Sequence, residues 1–528
     1  MNRREFIKNT ILLLSLTGCG TGRKRLNLKS VRLAHDVNEF KTDLPLKTRK
    51  VIIIGGGLSG LTAGIYLIEK GFEVEIFEKN SFCGGKLESH KDSFGGCNIS
   101  LEHGFHAWWE QYHNLIDMMR KLNIEKNLKE IPSVKIRVKG KHDESVYFNP
   151  RLYPFFLLFP LLFSKNISFR EIMKSGTIGL LILRYDKKRY DKWFDKISFN
   201  DLMKEYDTPE NIQKIFFEPF MKAGFFADPQ EISAASFLEL FHFYLSGNIE
   251  DFKCYHIGGN PQEKVIEPMM KYFMDRGGRI NLNSEIDNLI VDDYEIKGIQ
   301  IFPEGDQSVI HRGDYFIIAT DISGIQGISS NMIKNIGEER RGEFEKALKL
   351  KTNNCIVIRI WFDKPTKHDR VPVGFTSNFK YITVYFILSR LNDNIKECSK
   401  NTGYHCIEFI IGGTSQLTEF FDKELLKVIT PEIIELFPEL KNAGMIDYFL
   451  MRHDNYTFFN KGAVNLRPPV QSVFKNLFYA GDWVYLDIPV FFMEKAVMTA
   501  KIAANYILSE EGVMPNNIYS PSSRGILS

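Results

Sequence analysis

Gly55, Gly57 and Gly60 stand in G-x-G-x-x-G spacing, with the acid Glu78 further on and Gly84-Gly85-Lys86 just beyond it. Residues of these types hold a nucleotide. The first glycine permits a tight turn, the second lets the backbone approach a pyrophosphate, the third lets a helix pack close to a strand, and the acid takes ribose hydroxyls. The elements that must position them lie on either side. Val51 to Ile54 is an unbroken β-branched run, as expected of a parallel strand buried on both faces. A helix is predicted from Ser59 to Lys70, with its amino end presenting free N–H groups and a partial positive charge to the phosphates. Gly71 stops it, and a second strand, Glu73 to Phe77, delivers Glu78. Strand, turn, helix, strand and acid fall in register, so a dinucleotide cofactor is expected.

The stretch Glu78 to Ser89, EKNSFCGGKLES, resembles the E-x-x-x-x-x-G-G-[RK] segment of FAD-dependent amine oxidases and carotenoid desaturases. Asn476 to Trp483, followed by Pro489 and by Met493-Glu494-Lys495-Ala496, resembles the carboxy-terminal FAD motif of the same superfamily. The resemblance implies FAD as the cofactor, held by Gly55, Gly57, Leu58, Ser59, Gly60, Glu78, Lys79, Gly84, Gly85 and Lys86. It also implies that Ile286 meets the adenine through its backbone, and that Gly481, Asp482, Pro489, Met493 and Glu494 complete the site. The chemistry of Glu494 favours a structural place at a helix start over a base, because an acid there opposes a negatively charged reduced flavin.

Glu102 to Leu115, EHGFHAWWEQYHNL, resembles the segment that carotenoid desaturases place beside the isoalloxazine ring, and its Gly-Phe-His-Ala form is most similar to aromatic-ring carotenoid synthases. Phe225 to Asn248 and the terminal Tyr519-Ser520-Pro521 with Arg524-Gly525 resemble the same subfamily, the β-carotene desaturase/methyltransferases. The likeness spans residues 50 to 528. It implies carotenoid desaturation with a ring methyl shift, in which hydride removal is followed by a carbocation rearrangement that aromatic ring faces stabilise. His106 and Trp108 are the catalytic candidates it gives. His106 has three readings: proton acceptor, donor to the flavin, or supporting histidine. Glu102 and His103 read as anchors of the turn, and His242 and Tyr244 as channel wall. No metal is required.

The expected fold class is α/β with an α+β second domain. A discontinuous Rossmann-type FAD-binding domain covers 49–110, 265–325 and 470–510, its later strands drawn from Gly277 to Ile286 and from Tyr315 to Thr320. A mixed-sheet substrate domain with a helical cap covers 111–264 and 326–469, with strand-like runs at Asn354–Phe362, Tyr381–Leu388 and His405–Ile411, and 511–528 is a tail. Three rival functions remain: an FAD amine oxidase, a flavin-dependent isoprenoid isomerase or dehydroxylase, and a non-catalytic flavin-containing lipoprotein.

At the amino end, Arg3-Arg4-Glu5-Phe6-Ile7-Lys8 resembles a twin-arginine export motif, and Leu16-Thr17-Gly18-Cys19 a lipobox. The apolar run between them is too short to span a bilayer. Residues 1–19 thus read as a signal peptide served by the twin-arginine export machinery, Cys19 as the lipidated residue and 20–48 as a tether. The expected location is a membrane-anchored lipoprotein facing the periplasm or cell exterior. Leu152 to Phe163, rich in Phe and Leu with Pro154 and Pro160 inside it, reads as a membrane contact or channel entrance, or as a buried helix pair. Expected partners are an apolar lipid substrate and a membrane surface, with a quinone or oxygen as the final electron acceptor. A net charge of +3 with no long basic run asks for no nucleic acid. The seven cysteines include Cys19, and the other six, with no CxxC spacing, are expected to be reduced core residues.

Overall fold

The computed structural model describes residues 42–148, 158–246, 253–301, 308–413, 417, 419–525 and 527–528. The export motif, Cys19 and the first half of the Leu152–Phe163 run, residues 152–157, lie outside the described residues.

Val51, Ile52 and Ile53 are fully buried, as their apolar run requires, in the centre of a five-stranded sheet. Its order is Arg279–Asn281, Glu73–Phe77, Lys50–Ile54, Tyr315–Ile318, Leu477–Tyr479, all parallel. Helix Leu58–Ile68 follows the first strand and packs on the long carboxy-terminal helix Phe492–Glu510. The close approach of helix and strand is enforced at Gly60, where a Cβ would lie 1.9 Å from the Gly55 carbonyl oxygen. Ile286 corrects one expectation. It opens a separate antiparallel sheet, Ile286–Asp292, Glu295–Ile301 and Val309–Arg312, pairing with Ile301; only Arg279–Asn281 returns to the parallel sheet.

A second large sheet is mixed, in the order Met445–Thr457, Thr352–Phe362, His405–Gly412, Ile382–Phe386, Val373–Ser377, Ser133–Val138, Glu144–Tyr147. Its single parallel pairing joins Val373–Ser377 to Ser133–Val138. Short helices fill 158–246: Glu218–Phe225 packs on this sheet, while Ala234–Phe241, buried on every face, packs among its helical neighbours. The α/β sheet and the mixed α+β region together give the expected fold class.

One further expectation needs correction. Cys97 and Cys398 form a disulfide across 301 residues, with Cα atoms 5.6 Å apart, so the six cysteines are not all reduced. The hairpin Ser89–Phe94 and Cys97–Glu102 packs on helix Asp393–Thr402, which brings the two together; Cys83, Cys254, Cys355 and Cys406 are buried thiols. The tail 511–528 packs on the body of the molecule. Val513 and Ile518 are fully buried, Val513 bridges Thr42, and Gly525 donates its N–H to the Tyr185 carbonyl, so the carboxy end is held by apolar burial and backbone hydrogen bonds. No helix among the described residues is long and apolar enough to cross a membrane.

Candidate active site

The glycine turns converge on one cradle. Gly55, Gly84, Gly85 and Gly481 all have positive φ (105°, 138°, 56° and 151°), a region L-residues avoid, and they come from three distant segments. Gly57 bridges Gly84, and a Cβ on Gly57 would find its nearest atom at 3.8 Å, leaving open space above the backbone. Helix Leu58–Ile68 starts with neither a side-chain cap nor an acid in its first turn, so its free N–H groups and positive dipole end face the space lined by Gly57, Leu58 and Ser59. Glu78, buried at the end of its strand, accepts from the N–H of Gly56 at 2.7 Å and of Asn80 at 2.9 Å; each oxygen keeps a lone pair for a hydroxyl. Lys86 Nζ lies 3.2 Å from Asp482 Oδ2, joining the second glycine turn to the carboxy-terminal motif. Burial pushes the Asp482 carboxyl up, but Lys86, the Thr457 hydroxyl and Arg467 outweigh it and hold it below the usual carboxylate range. An anion cradle, a buried ribose acid and an ordered Lys–Asp pair are what a dinucleotide such as FAD needs.

From this cradle a cavity of about 370 Å³ runs between the two sheets. Gly57, Leu58, Ser59, Gly84, Gly85, Lys86, Gly481, Asp482 and Met493 line one end; Phe105, Trp109, Phe148, Phe220, Phe241, Tyr244, Phe375, Phe386 and Tyr456 are among those lining the other. His106 lies between. Its loop is fixed from below: Glu408 Oε1 accepts the Phe105 N–H at 2.7 Å, and Arg359, 1 % exposed, donates to Glu408 at 2.7 Å and to the Ser100 carbonyl at 2.6 Å. Burial lowers the His106 pKa to about 4, with His453 and Arg359 adding to it and the backbone at Gly104 and Lys86 working against it, so His106 is neutral at neutral pH. Glu102, 3.8 Å from Arg359, is pushed up to about 8 by burial and by Glu408 against the pull of Arg359.

Several expected site residues sit elsewhere. Trp108 is buried in the core; it is Trp109 that lines the cavity, because successive side chains of the two-residue strand point to opposite faces. Trp108 therefore cannot touch a substrate. Lys79 is exposed beyond the strand end, and Lys79, Ile286, Pro489 and Glu494 do not line the cavity. Glu494 caps another helix: its carboxylate accepts from the Asn114 N–H (3.0 Å), the Asn114 amide (2.6 Å) and the Leu115 N–H (3.0 Å) at the start of His113–Lys121. Its charge is spent there. His242 turns away from the cavity, its Nε2 2.7 Å from the Ser522 carbonyl, while Tyr244 does line the cavity and shares a 2.6 Å bond with Tyr112. Sequence reasoning missed Arg359, Glu408 and Tyr456, which carry no local motif and reach the site only through the mixed sheet.

The model for flavin containing amine oxidoreductases matches residues 58–508. The chain belongs to that family. FAD is accordingly its cofactor, and the cradle described above suits it. Among relatives of this flavoprotein, a carotenoid phi-ring synthase of Streptomyces griseus is 25 % identical over 488 residues, covering 90 % of each chain. A 15-cis-phytoene desaturase of Capsicum annuum is 25 % identical over 480 residues, covering 88 % of this chain and 79 % of its own. The fold is shared with a solved oxidoreductase of Methanosarcina mazei (TM-score 0.63, 17 % identity, 85 % of this chain and 98 % of that one). It is shared also with cyclohexylamine oxidase of Brevibacterium oxydans (TM-score 0.60, 16 % identity, 88 % and 99 %).

Proposed function

We propose that this FAD-dependent oxidoreductase desaturates a carotenoid, with a methyl shift on its ring. The observation that carries the reading is the continuity of one cavity from the glycine cradle into a chamber walled by aromatic and aliphatic side chains. Such a chamber repays burial of a long apolar substrate at roughly 25 cal/mol per Å². Bound FAD supplies a hydride acceptor. The protein supplies the rest: Lys86 and the helix start hold the diphosphate, Glu78 the ribose, and the apolar walls orient the substrate and exclude water. The aromatic side chains of Trp109, Phe105 and Tyr244 line the chamber, a wall of the kind that stabilises positive charge on a substrate.

A polar amine fits less well. Only two carboxylates line the cavity among the described residues, and each already has a partner: Asp321 accepts the Gly324 N–H at 2.9 Å and Asp482 is paired with Lys86.

The finer reading extends to location and partners. The Cys97–Cys398 disulfide supports export into an oxidising compartment, in agreement with the twin-arginine-like start and Cys19 as a lipid anchor. An anchored enzyme draws its substrate from the membrane surface and passes its electrons to a membrane quinone. Anaerobic incubation with β-carotene in detergent micelles and a soluble quinone tests this. Products lighter by pairs of hydrogens, with the quinone reduced in step, are expected; products of unchanged mass would mean an isomerase, and turnover of amines alone would overturn the reading.

A further inference from the structure

Tyr456 lines the cavity, and its Oη lies 2.9 Å from Nδ1 of His103, a residue 353 positions away. The other ring nitrogen of His103, Nε2, is 3.1 Å from Asn455 Oδ1. An amide oxygen only accepts, so this orientation of Asn455 assigns the imidazole proton to Nε2 and leaves Nδ1 as an acceptor. The Tyr456 hydroxyl therefore donates into the histidine; its alternative acceptor, the His103 carbonyl, is more distant at 3.4 Å. The pair is rigidly held. His103 is 5 % exposed and packs on the His453 ring with centroids 3.7 Å apart, while Tyr456 packs on Phe226 at 4.7 Å. The arrangement has the logic of a triad: the hydroxyl of a cavity-lining tyrosine, a histidine that can take its proton, and a third group fixing the histidine's tautomer.

We propose that Tyr456, backed by His103 as positioning residue, receives the proton that the substrate loses when its new double bond forms. The proposal rests on the carotenoid reading above. Bound FAD would supply the oxidant, accepting a hydride equivalent, and the substrate would then carry the positive charge. A C–H bond beside the cationic carbon then breaks, its electron pair becomes the C=C bond, and the proton goes to Tyr456 Oη as the hydroxyl proton moves to His103 Nδ1. The positive charge passes from substrate to imidazolium, and His103 returns the proton to water before the next turnover. Burial, with His453, His106 and Lys86 adding to it against the Asn455 hydrogen bond, lowers the His103 pKa to about 2. The resting ring is therefore neutral and free to accept, and so weak a base suffices because a C–H bond beside a carbocation is a far stronger acid than an imidazolium.

The test compares the FAD-loaded full chain with Tyr456→Phe and His103→Gln, using β-carotene in detergent micelles. ¹⁵N-histidine NMR of the resting proteins reads the dyad without turnover. Wild type is expected to show His103 protonated on Nε2, with its Nδ1 signal moving to that of an unbonded nitrogen in Tyr456→Phe. Tyr456→Phe, with flavin content and melting temperature as in wild type, is expected to lose about 100-fold or more in kcat with KM held within about twofold. His103→Gln should lose kcat similarly; should it fail to fold, Tyr456→Phe decides alone. Active wild type with Tyr456→Phe within about threefold of it, or a His103 protonated on Nδ1, overturns the proposal alone. Wild type that leaves β-carotene unchanged overturns the carotenoid reading and this one with it.

Discussion

The sharpest perturbation separates two glycines three residues apart. At Gly60 an added Cβ would sit 1.9 Å from the Gly55 carbonyl oxygen, well inside the 3.0 Å that real Cβ atoms keep clear, and 3.1 Å from its carbon. Relief requires helix Leu58–Ile68 to move by more than about 1 Å off the sheet, in a core packed to crystal-like density. Overpacking of that kind costs about 3 kcal/mol or more. At Gly57 the same methyl meets nothing nearer than 3.8 Å, and the φ of −77° suits any residue. Gly57→Ala therefore leaves the protein fold intact, at a cost of about 1 kcal/mol or less at a helix N-cap, while placing a methyl where the pyrophosphate must approach. Thermal melts of flavin-stripped protein and the flavin absorbance of purified holoprotein read the two effects separately. Gly60→Ala should lower the stability of the stripped protein; Gly57→Ala should melt like wild type yet retain FAD at least about tenfold more weakly. Wild-type flavin affinity in Gly57→Ala, or a stripped Gly60→Ala as stable as wild type, would refute the geometric argument.

Glu494 gives a pH prediction: burial pushes its carboxyl up to about 7, against the pull of Asn114, Leu115 and Lys501. A group raised on folding contributes stability that is full below its ordinary value of 4.5 and is lost as pH rises through about 7, a change of about 3 kcal/mol. Glu494→Gln cannot ionise, so the fall in urea midpoint between pH 5 and 8 should be shallower in the variant than in wild type, and equal slopes would contradict the assignment. Trp108→Ala should cost about 3–5 kcal/mol of stability through a core cavity, whereas Trp109→Ala should melt close to wild type and raise KM for a carotenoid; a similar loss of stability in both would mean the strand faces are misassigned. Peptide mapping without reductant should recover Cys97 joined to Cys398 and Cys83, Cys254, Cys355 and Cys406 as free thiols, with free Cys97 and Cys398 as the contrary result.

What was legible in the sequence is what depends on near neighbours. Four aliphatic residues, a glycine turn and a helix start within Val51 to Gly60 specify their own conformation, and Glu73–Phe77 takes the range its pattern predicts because each of its residues pairs with the strand beside it. The chemistry at Glu102–Leu115 was legible only as a segment. Whether Trp108 or Trp109 faces the cavity depends on the register of a two-residue strand against Cys254 and Tyr255, and nothing local sets that. Glu494 sits on a helix, as expected, but it caps helix His113–Lys121 through Asn114, 380 residues earlier in the chain. His103 with Tyr456, Cys97 with Cys398 and Arg359 with the Phe105 loop are products of tertiary packing between distant segments, and no spacing rule reaches them.

The central claim is tested most directly by mixing the FAD-loaded protein, lacking residues 1–19, with β-carotene micelles under anaerobic conditions and following the flavin bands. The account predicts that the visible flavin absorbance bleaches as a polyene product of lower hydrogen content appears, in equal amounts in the first turnover. A flavin that stays oxidised in β-carotene and bleaches with an amine would contradict it.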